Sequence, residues 1–247
     1  MSTDQETRLA ADGVIALAQG EGWVVVAKPP RVLVHRNAMF PRERAMLQRV
    51  RTWAKARVYP IHRLDRNTSG CLLFATDQSL AGPLSRCLAD ATKTYICLVR
   101  GDFPHGERVR VDTPIKLGPE KYREALSEVQ KIGGAAEPRS SLMRVHPQTG
   151  RTHQVRRHVR DLHHPVIHDT THGDSRVNRW WRENRGADRL QLHALRLAMP
   201  MPGGGRLEVV CPLFEDLSRV WSALPYWADA VAAEPDLARP ALALPPD

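Results

Sequence analysis

Short apolar runs next to turn residues constrain the fold of this chain more than any other feature. Residues 23–27 (WVVVA), 71–75 (CLLFA) and 93–99 (KTYICLV) are rich in aliphatic side chains and lie close to Pro, Gly or Asn. Runs this short predict buried strands rather than helices. Because predicted strands outnumber helices and short loops often join them, we expect an α+β fold with a mainly antiparallel mixed sheet flanked by helices.

The remaining elements follow from the same patterns. Apolar positions at helical spacing predict a helix that begins near Pro41 and buries Met46 and Val50, a second from Asp77 to about residue 89, and a third over 153–162. Further strands are predicted at 109–115, 124–129, 141–145 and 166–167, with 32–34 as a partner of 23–27, a hairpin of 191–199 and 206–210, and loops at 118–123 and 133–139.

No repeat and no break in composition requires a second domain. We therefore expect one domain over residues 21–220, an N-terminal extension at 1–20 and a C-terminal tail at 221–247, exposed in its Ala- and Pro-rich end. No apolar run approaches the roughly 20 residues that span a bilayer, and the N-terminus lacks the apolar core of a secretory signal. The four well-separated cysteines argue against a disulfide scaffold or a cysteine zinc site, so we expect a cytoplasmic protein.

Positive charge is concentrated in one part of the chain. The formal net charge is +9, yet residues 31–66 hold ten Lys and Arg against two acids, whereas 207–247 hold seven acids against two Arg. A concentrated positive field attracts polyanions, most commonly nucleic acid. Arginine makes up 30 of the 36 basic residues, which suits RNA because its planar fork binds phosphate and stacks on bases. Genomic base composition explains that ratio equally well, but not the clustering.

Asp65 interrupts this basic segment. It lies in YPIHRLDRNTSG (59–70), flanked by Arg63 and Arg66 and followed by a turn signal. Neighbouring positive charge favours the ionised form of a carboxyl, and an oriented carboxylate at a nucleic-acid surface can act as a nucleophile or a base. The alternative is a structural ion pair that stabilises the turn.

Two further features carry candidate chemistry. GRTHQVRR (150–157) places Arg151 and Arg156 at the start of a predicted helix, where backbone amides and guanidinium groups both favour anions. Tyr95 lies on a predicted strand and could stack on an unpaired base. The alternatives are an exposed basic helix start and a tyrosine packed in the core.

Several site classes have no support. The chain lacks a G-x-S-x-G elbow, a phosphate-binding G-x-x-x-x-G-K-[ST] loop and a strand-linked G-x-G-x-x-G. His164, His168 and His172 are spaced four apart, but Pro165 argues against the helix that would align them as metal ligands. We therefore expect no metal and no cofactor, and we expect His158 to pack in the core.

Taken together, the motifs resemble the RluA family of pseudouridine synthases. HRLDRNTSGCLLFA (62–75) is similar to the family signature, and KTYICLVRG (93–101), GRTHQVRRHV (150–159), HHPVIHDTTHGD (163–174) and LQLHALRL (190–197) match further blocks in order. The resemblance covers roughly residues 20–215. The HQVRRH run and residues 172–186 are most similar to the branch that modifies uridine 65 of tRNA and has no N-terminal S4 domain.

The resemblance implies a reaction and the residues for it. A uridine in RNA becomes pseudouridine without a cofactor, with Asp65 as catalytic aspartate, Tyr95 stacked on the flipped base and Arg156 paired with the aspartate. The RNA-binding residues expected around them are His62, Arg63, Arg66, Lys93, Arg151, His153, Gln154 and Arg157. The implied partner is RNA, most simply tRNA, and we expect a monomer with no membrane association and no obligate protein partner.

Three alternatives stay open at this point. A 23S rRNA synthase would use the same residues on a different substrate. An RNA-binding module would share the basic segment but would not react, and a histidine-metal hydrolase has the least support.

Overall fold

The computed structural model describes residues 13–36, 38–104 and 106–245. Its strands are β1 (Ile15–Gly20), β2 (Trp23–Lys28), β3 (Tyr59–Pro60), β4 (Ser69–Ala75), β5 (Thr92–Arg100), β6 (Val109–Val111), β7 (Ile115–Lys116), β8 (Tyr122–Arg123), β9 (Ser127–Ala136), β10 (Arg139–Pro147), β11 (Leu192–Pro200) and β12 (Arg206–Val210). Its α-helices are α1 (Met46–Ala54), α2 (Gln78–Cys87), α3 (Gln154–Asp161), α4 (Ser175–Arg185), α5 (Glu215–Ser222) and α6 (Trp227–Ala233).

The described residues divide into two compact units. Unit 1 contains residues 13–91, 196–211 and 243–245, and unit 2 contains 92–195 and 212–242. Each unit has its own sheet segment and its own buried apolar cluster.

In unit 1, β2 pairs antiparallel with β1 on one side and with β4 on the other, with Trp23 opposite Ala75 and Lys28 opposite Gly70. Every residue of β4 is buried, because its apolar side chains alternate between two covered faces. Helix α1 contributes Met46 and Val50 to the cluster beneath β2 and β4, so its predicted apolar face is confirmed.

Two expectations for unit 1 are wrong. Residues 32–34 form no strand beside 23–27. Instead, the chain turns at Arg31, which has a φ of 64°, and the carbonyls of Leu33 and Val34 accept hydrogen bonds from the first amides of α1. The partner of β2 is β1, which falls within the predicted 1–20 extension and alternates too weakly to be recognised as a strand.

In unit 2, β5, β10, β9 and β6 form an antiparallel segment in that order. Tyr95 of β5 lies opposite Val145 of β10. The predicted loop at 133–139 is wrong, because β9 continues to Ala136 and leaves only a tight turn before β10. Gly133 suggests a turn by composition, but its role is close packing: a Cβ there would lie 2.8 Å from the ring of Tyr226.

The prediction that the Ala- and Pro-rich end of the tail, from about residue 230, is exposed is also wrong for much of its described part, because Ala230, Leu237 and Leu242 are buried. Helices α5 and α6 fold onto unit 2, and Trp221, Tyr226 and Leu237 are buried. The Tyr226 hydroxyl hydrogen-bonds Ser140 Oγ at 2.6 Å, and Trp221 Nε1 donates to Gln191 Oε1 at 2.9 Å. These contacts depend on residues far away in the chain, so the Ala- and Pro-rich composition alone gave no sign of them.

Two further predictions are wrong in part, because residues 122–123 of the predicted 118–123 loop form β8, and residues 166–167 make only an isolated bridge between Val166 and Val99. Asp77 caps α2 by accepting the amide of Ser79, and β11 and β12 form the predicted hairpin. Helix α4 was not predicted, because its sequence is mostly polar and arginine-rich. The fold class is confirmed as α+β with mostly antiparallel strands flanked by helices. Within the described ranges, no helix has the length and apolarity to cross a membrane.

Candidate active site

Asp65 lies in a tight turn of unit 1 immediately before β4. The amide of Thr68 donates to the Asp65 carbonyl at 3.1 Å, which closes the turn predicted from Asn-Thr-Ser-Gly. Leu64 on its N-terminal side is buried, and Asp65 itself is half-buried. The backbone is therefore fixed on both sides of a side chain that is partly accessible.

A buried lysine stabilises this turn by hydrogen bonds to its backbone. Lys28 ends β2 with no exposed surface, and its Nζ donates to the carbonyls of Pro29 at 2.8 Å, Arg66 at 3.0 Å and Thr68 at 2.8 Å. Three carbonyl oxygens match the three donors of an ammonium group. Two of these carbonyls belong to the residues around Asp65, so Lys28 ties the turn to the end of β2.

The basic neighbours of Asp65 differ in how they are engaged. Arg66 donates to Glu43 Oε2 at 3.1 Å and lies 4.8 Å from the centroid of the Phe40 ring. His62 accepts the amide of Leu73 at its Nε2, which attaches the preceding loop to β4. Arg63 is exposed. Of the predicted RNA contacts in this segment, Arg63 is thus the most accessible, while His62 and Arg66 also stabilise the loop.

Tyr95 is half-buried near the start of β5 in unit 2. It packs against the apolar cluster that contains Val145, Val155 and Val159. The core alternative is therefore partly correct, because Tyr95 contacts this cluster although the residue as a whole is only half-buried. Lys93, two residues earlier, points to the same face of the strand, and burial lowers the pKa of its ammonium group.

Arg156 is held by a buried bidentate ion pair. It lies in the first turn of α3 with 6% of its surface exposed, and its Nε and Nη2 each donate to a carboxylate oxygen of Asp169 at 2.7 Å. Asp169 Oδ1 also accepts the amides of Thr171 and His172 at 2.9 Å. Burial of Asp169 opposes its ionisation. The charge of Arg156 and the hydrogen bonds from Arg156 and from the two amides outweigh this effect, so the pKa of Asp169 lies below its usual value.

Helix α4 explains why the chain turns at Asp169. Asn178 accepts the amide of His168 at 2.7 Å and donates to the Asp169 carbonyl at 3.1 Å. Gly173 approaches this carbonyl so closely that a Cβ would lie 2.5 Å from its oxygen. Only glycine fits there, so the HGD triplet (172–174) has a packing reason.

A pair of histidines adjoins this turn. His153 precedes α3 with a φ of 56°, and its Nδ1 lies 3.1 Å from His172 Nε2. Burial lowers the pKa of His172 to about 4, so this ring is neutral at physiological pH. In this hydrogen bond, one of the two facing nitrogens carries the proton and the other accepts it.

The start of α3 depends on Gln154, which was predicted to contact RNA. Gln154 is 4% exposed, and its amide binds Thr149, the Arg151 amide, the Leu126 carbonyl and Ser127. These internal hydrogen bonds position the start of the helix, so the prediction that Gln154 contacts RNA is wrong. Arg151 and Arg157 each donate to a backbone carbonyl, of Glu124 and Lys116 respectively, and remain partly exposed.

The structure therefore groups the candidate residues unit by unit. In unit 1, Asp65 adjoins Arg63 and Arg66; in unit 2, Arg156 and His153 share the Asp169 turn. The sequence-based prediction missed Lys28, Asp169 and Asn178. Asp169 and Asn178 lie inside matched stretches and Lys28 directly follows the predicted strand 23–27, but the contacts of all three join distant segments. Among the described residues, no three His, Cys, Asp or Glu side chains are grouped as metal ligands.

Comparison with known proteins gives consistent matches. The family model for RNA pseudouridylate synthases matches residues 22–161. The tRNA pseudouridine synthase C of Vibrio cholerae is 37% identical over 206 residues, which cover 74% of this chain and 84% of that protein. The protein of the same name from Vibrio vulnificus is 34% identical over 229 residues, covering 83% and 91%.

Solved structures agree with these matches. Human RNA pseudouridylate synthase domain containing 1 superposes with a TM-score of 0.70 at 26% identity and covers 96% of this chain and 98% of its own. Human RNA pseudouridylate synthase domain containing 4 gives a TM-score of 0.68 at 20% identity, over 84% of this chain and 91% of its own, which bears on the fold alone.

Proposed function

Because the chain belongs to the family of RNA pseudouridylate synthases, we propose that it converts a uridine of tRNA into pseudouridine. The tRNA substrate is supported by the relatives named tRNA pseudouridine synthase C. The observation that carries the catalytic assignment is the half-buried carboxylate of Asp65, in a turn whose backbone is held by the buried ammonium of Lys28.

The reaction is balanced without an oxidant, a reductant or a nucleotide. The N1–C1′ bond of the uridine breaks, the base turns, and a C5–C1′ bond forms. The proton on C5 is released and N1 gains one, so the product is an isomer of the substrate. The proposed role of Asp65 is that of the reacting carboxylate, which meets the nucleotide after the base leaves its stack at a cost of a few kcal/mol.

The other proposed residues bind and orient. Tyr95 offers an accessible aromatic ring on which the extruded base stacks. Arg156 supplies a cation whose plane is fixed, because Asp169 holds its Nε and Nη2. The residues proposed to hold flanking phosphates are His62, Arg63, Arg66, Lys93, Arg151, His153 and Arg157.

Tritium release tests the catalytic assignment. tRNA carrying 5-tritiated uridine is incubated with wild type, Asp65→Asn and the control Asp90→Asn, which changes an exposed carboxylate of unit 1. We expect release by wild type and Asp90→Asn, none by Asp65→Asn, and tRNA binding by all three. Full activity of Asp65→Asn would refute the assignment, and binding without release by wild type would favour a binding module.

A second measurement tests the substrate. Pseudouridine is mapped in tRNA and 23S rRNA from cells with and without the protein, and loss confined to rRNA would refute the tRNA proposal. We further propose that the enzyme acts as a monomer in the cytoplasm, where tRNA is found. Light scattering of the purified protein, with and without tRNA, tests the monomer.

A further inference from the structure

Unit 2 contains a cavity that none of the proposed roles uses. It has a volume of about 710 Å³ and is open to solvent. Its walls come from the end of β5, the β9–β10 turn, the end of α3 and the exposed side of α4. The polar and aromatic side chains of its lining include Arg100, Glu137, Arg139, Arg160, His164 and Trp180. A volume of this size accommodates a small organic ligand.

The lining carries more positive than negative charge. Arg100, Arg139 and Arg160 line the cavity together with Glu137. Arg100 is half-exposed and 3.4 Å from Asp174, and Arg160 binds the neighbouring Asp161, so two of the three guanidinium groups are partly neutralised. Arg139 is exposed and forms no side-chain ion pair with the described residues, which leaves its charge for a bound anion.

An accessible indole lies beside these charges. Trp180 is 40% exposed, although its neighbour Trp181 is buried and, with Asn178, anchors α4 to unit 2. The two indoles meet edge to face, with centroids 5.6 Å apart. Trp181 therefore supports Trp180 from one side while the cavity side stays open. An exposed aromatic ring beside arginines is the combination that binds single-stranded nucleic acid.

His164 adds a polar wall without adding charge. Its Nδ1 lies 2.8 Å from the Arg100 carbonyl, and its ring meets Phe103 edge to face. Burial lowers the pKa of this imidazole, which favours the neutral form near pH 7. Anion binding in the cavity consequently depends on the arginines.

The cavity is separated from the proposed reaction residues of the same unit. Arg100 lies five residues beyond Tyr95 on β5, about 17 Å along a strand. Arg160 lies one helical turn beyond Arg156, roughly 6 Å along α3. Because five is an odd number of residues, the side chains of Tyr95 and Arg100 point to opposite faces of the strand. A nucleotide stacked on Tyr95 therefore cannot also fill the cavity, which would take another nucleotide of the RNA.

We propose that this cavity binds an unpaired nucleotide of the substrate RNA away from the reacting uridine, with its base stacked on Trp180 and its phosphate held by Arg139 and Arg100. The proposal rests on the proposed function and adds a subsite that selects the substrate. An acidic protein segment is the competing occupant, since it would use the same arginines. Stacking on an indole favours RNA, because a carboxylate-rich segment has no need of the ring.

The test compares tRNA affinity across salt concentrations for Trp180→Ala, Trp180→Phe and Arg139→Gln. The control is Arg219→Gln, which changes an exposed arginine of α5 outside the cavity. We expect Trp180→Ala to weaken binding roughly 5- to 150-fold with an unchanged salt slope, and Trp180→Phe to restore most of the affinity. Arg139→Gln should reduce the slope by about 0.7 to 0.9, as expected for one lost phosphate contact.

The outcomes separate this proposal from the proposed function. In kinetic measurements, the weaker tRNA binding of Trp180→Ala should appear as a higher KM for tRNA, whereas Asp65→Asn should abolish turnover. Wild-type affinity and slope in both Trp180→Ala and Arg139→Gln would overturn the subsite, even if wild type releases tritium. Absence of tritium release by wild type would refute the proposed function, while the binding measurements would still decide whether the cavity holds RNA.

Discussion

Removal of the Asp169 charge should destabilise the protein strongly, because the buried bidentate ion pair with Arg156 would be lost. Asp169→Asn keeps the shape of the side chain, so no cavity forms. However, the amide can no longer accept both guanidinium donors, and if its NH₂ group faces Arg156, two donors oppose each other. Arg156 is 6% exposed and cannot exchange the lost partner for bulk water.

The expected magnitude follows from the burial of both partners. Loss of one member of a buried ion pair typically costs about 3–5 kcal/mol, because the remaining charge is uncompensated. An exposed pair such as Arg110–Asp112, with most of each side chain accessible, contributes on the order of 0–1 kcal/mol. Asp112→Asn is therefore a matched control, in which the same chemical change should barely alter stability.

Urea unfolding at pH 7 measures both variants, and the pH dependence adds a second readout. The pKa of Asp169 is lowered in the folded state, so its contribution is present above the unfolded pKa, near 3.9, and is lost as pH falls through the lower folded value. Asp169→Asn should lack this acid-dependent component. A loss below about 1 kcal/mol at pH 7, or one equal to that of Asp112→Asn, would refute the reasoning.

Three further predictions concern neighbouring groups. Lys28→Met should lower both the free energy of unfolding and tritium release, because three carbonyls lose their donor; unchanged turnover would contradict the bracing role. The pKa of His172 is about 4 in the folded state and 6.5 in the unfolded state, so the free energy of unfolding should decrease as the pH is lowered from 6.5 to 4. His172→Gln should flatten this pH dependence, as measured by urea unfolding. Gly133→Ala should lower the melting temperature through contact with Tyr226; no change would refute close packing.

The part of the fold that the sequence predicted is the part set by local pattern. The runs at β2, β4 and β5 are apolar on both faces, so their identity as strands does not depend on what packs against them. The cap of α2 is equally local, since Asp77 binds an amide two residues away. β1 pairs with the adjacent β2 but was missed because its apolar residues alternate too weakly. α6 was missed because its residues become buried only through partners that are distant in sequence.

The candidate site shows the same division. Asp65 and Arg156 were predicted because they lie in motifs, but what holds them was not. Lys28 reaches the carbonyls of residues about 40 positions later, and Asp169 lies 13 positions after the arginine that it binds. Gln154 shows the reverse error, because a polar residue in a motif resembles a ligand contact until its buried hydrogen bonds are known.

A second ion pair of unit 2 can separate the functional role of Arg156 from its structural one. Arg189 donates through Nε and Nη2 to Asp216 at 2.7 and 2.9 Å, in nearly the same bidentate arrangement, and is 3% exposed. Arg156→Met and Arg189→Met should each cost about 3–5 kcal/mol of stability, since both leave a largely buried carboxylate. Tritium release per folded molecule should be lost only in Arg156→Met. Equal losses in both variants would mean that Arg156 contributes through folding alone, because Arg189 has a burial and geometry that match it without a place in the proposed reaction.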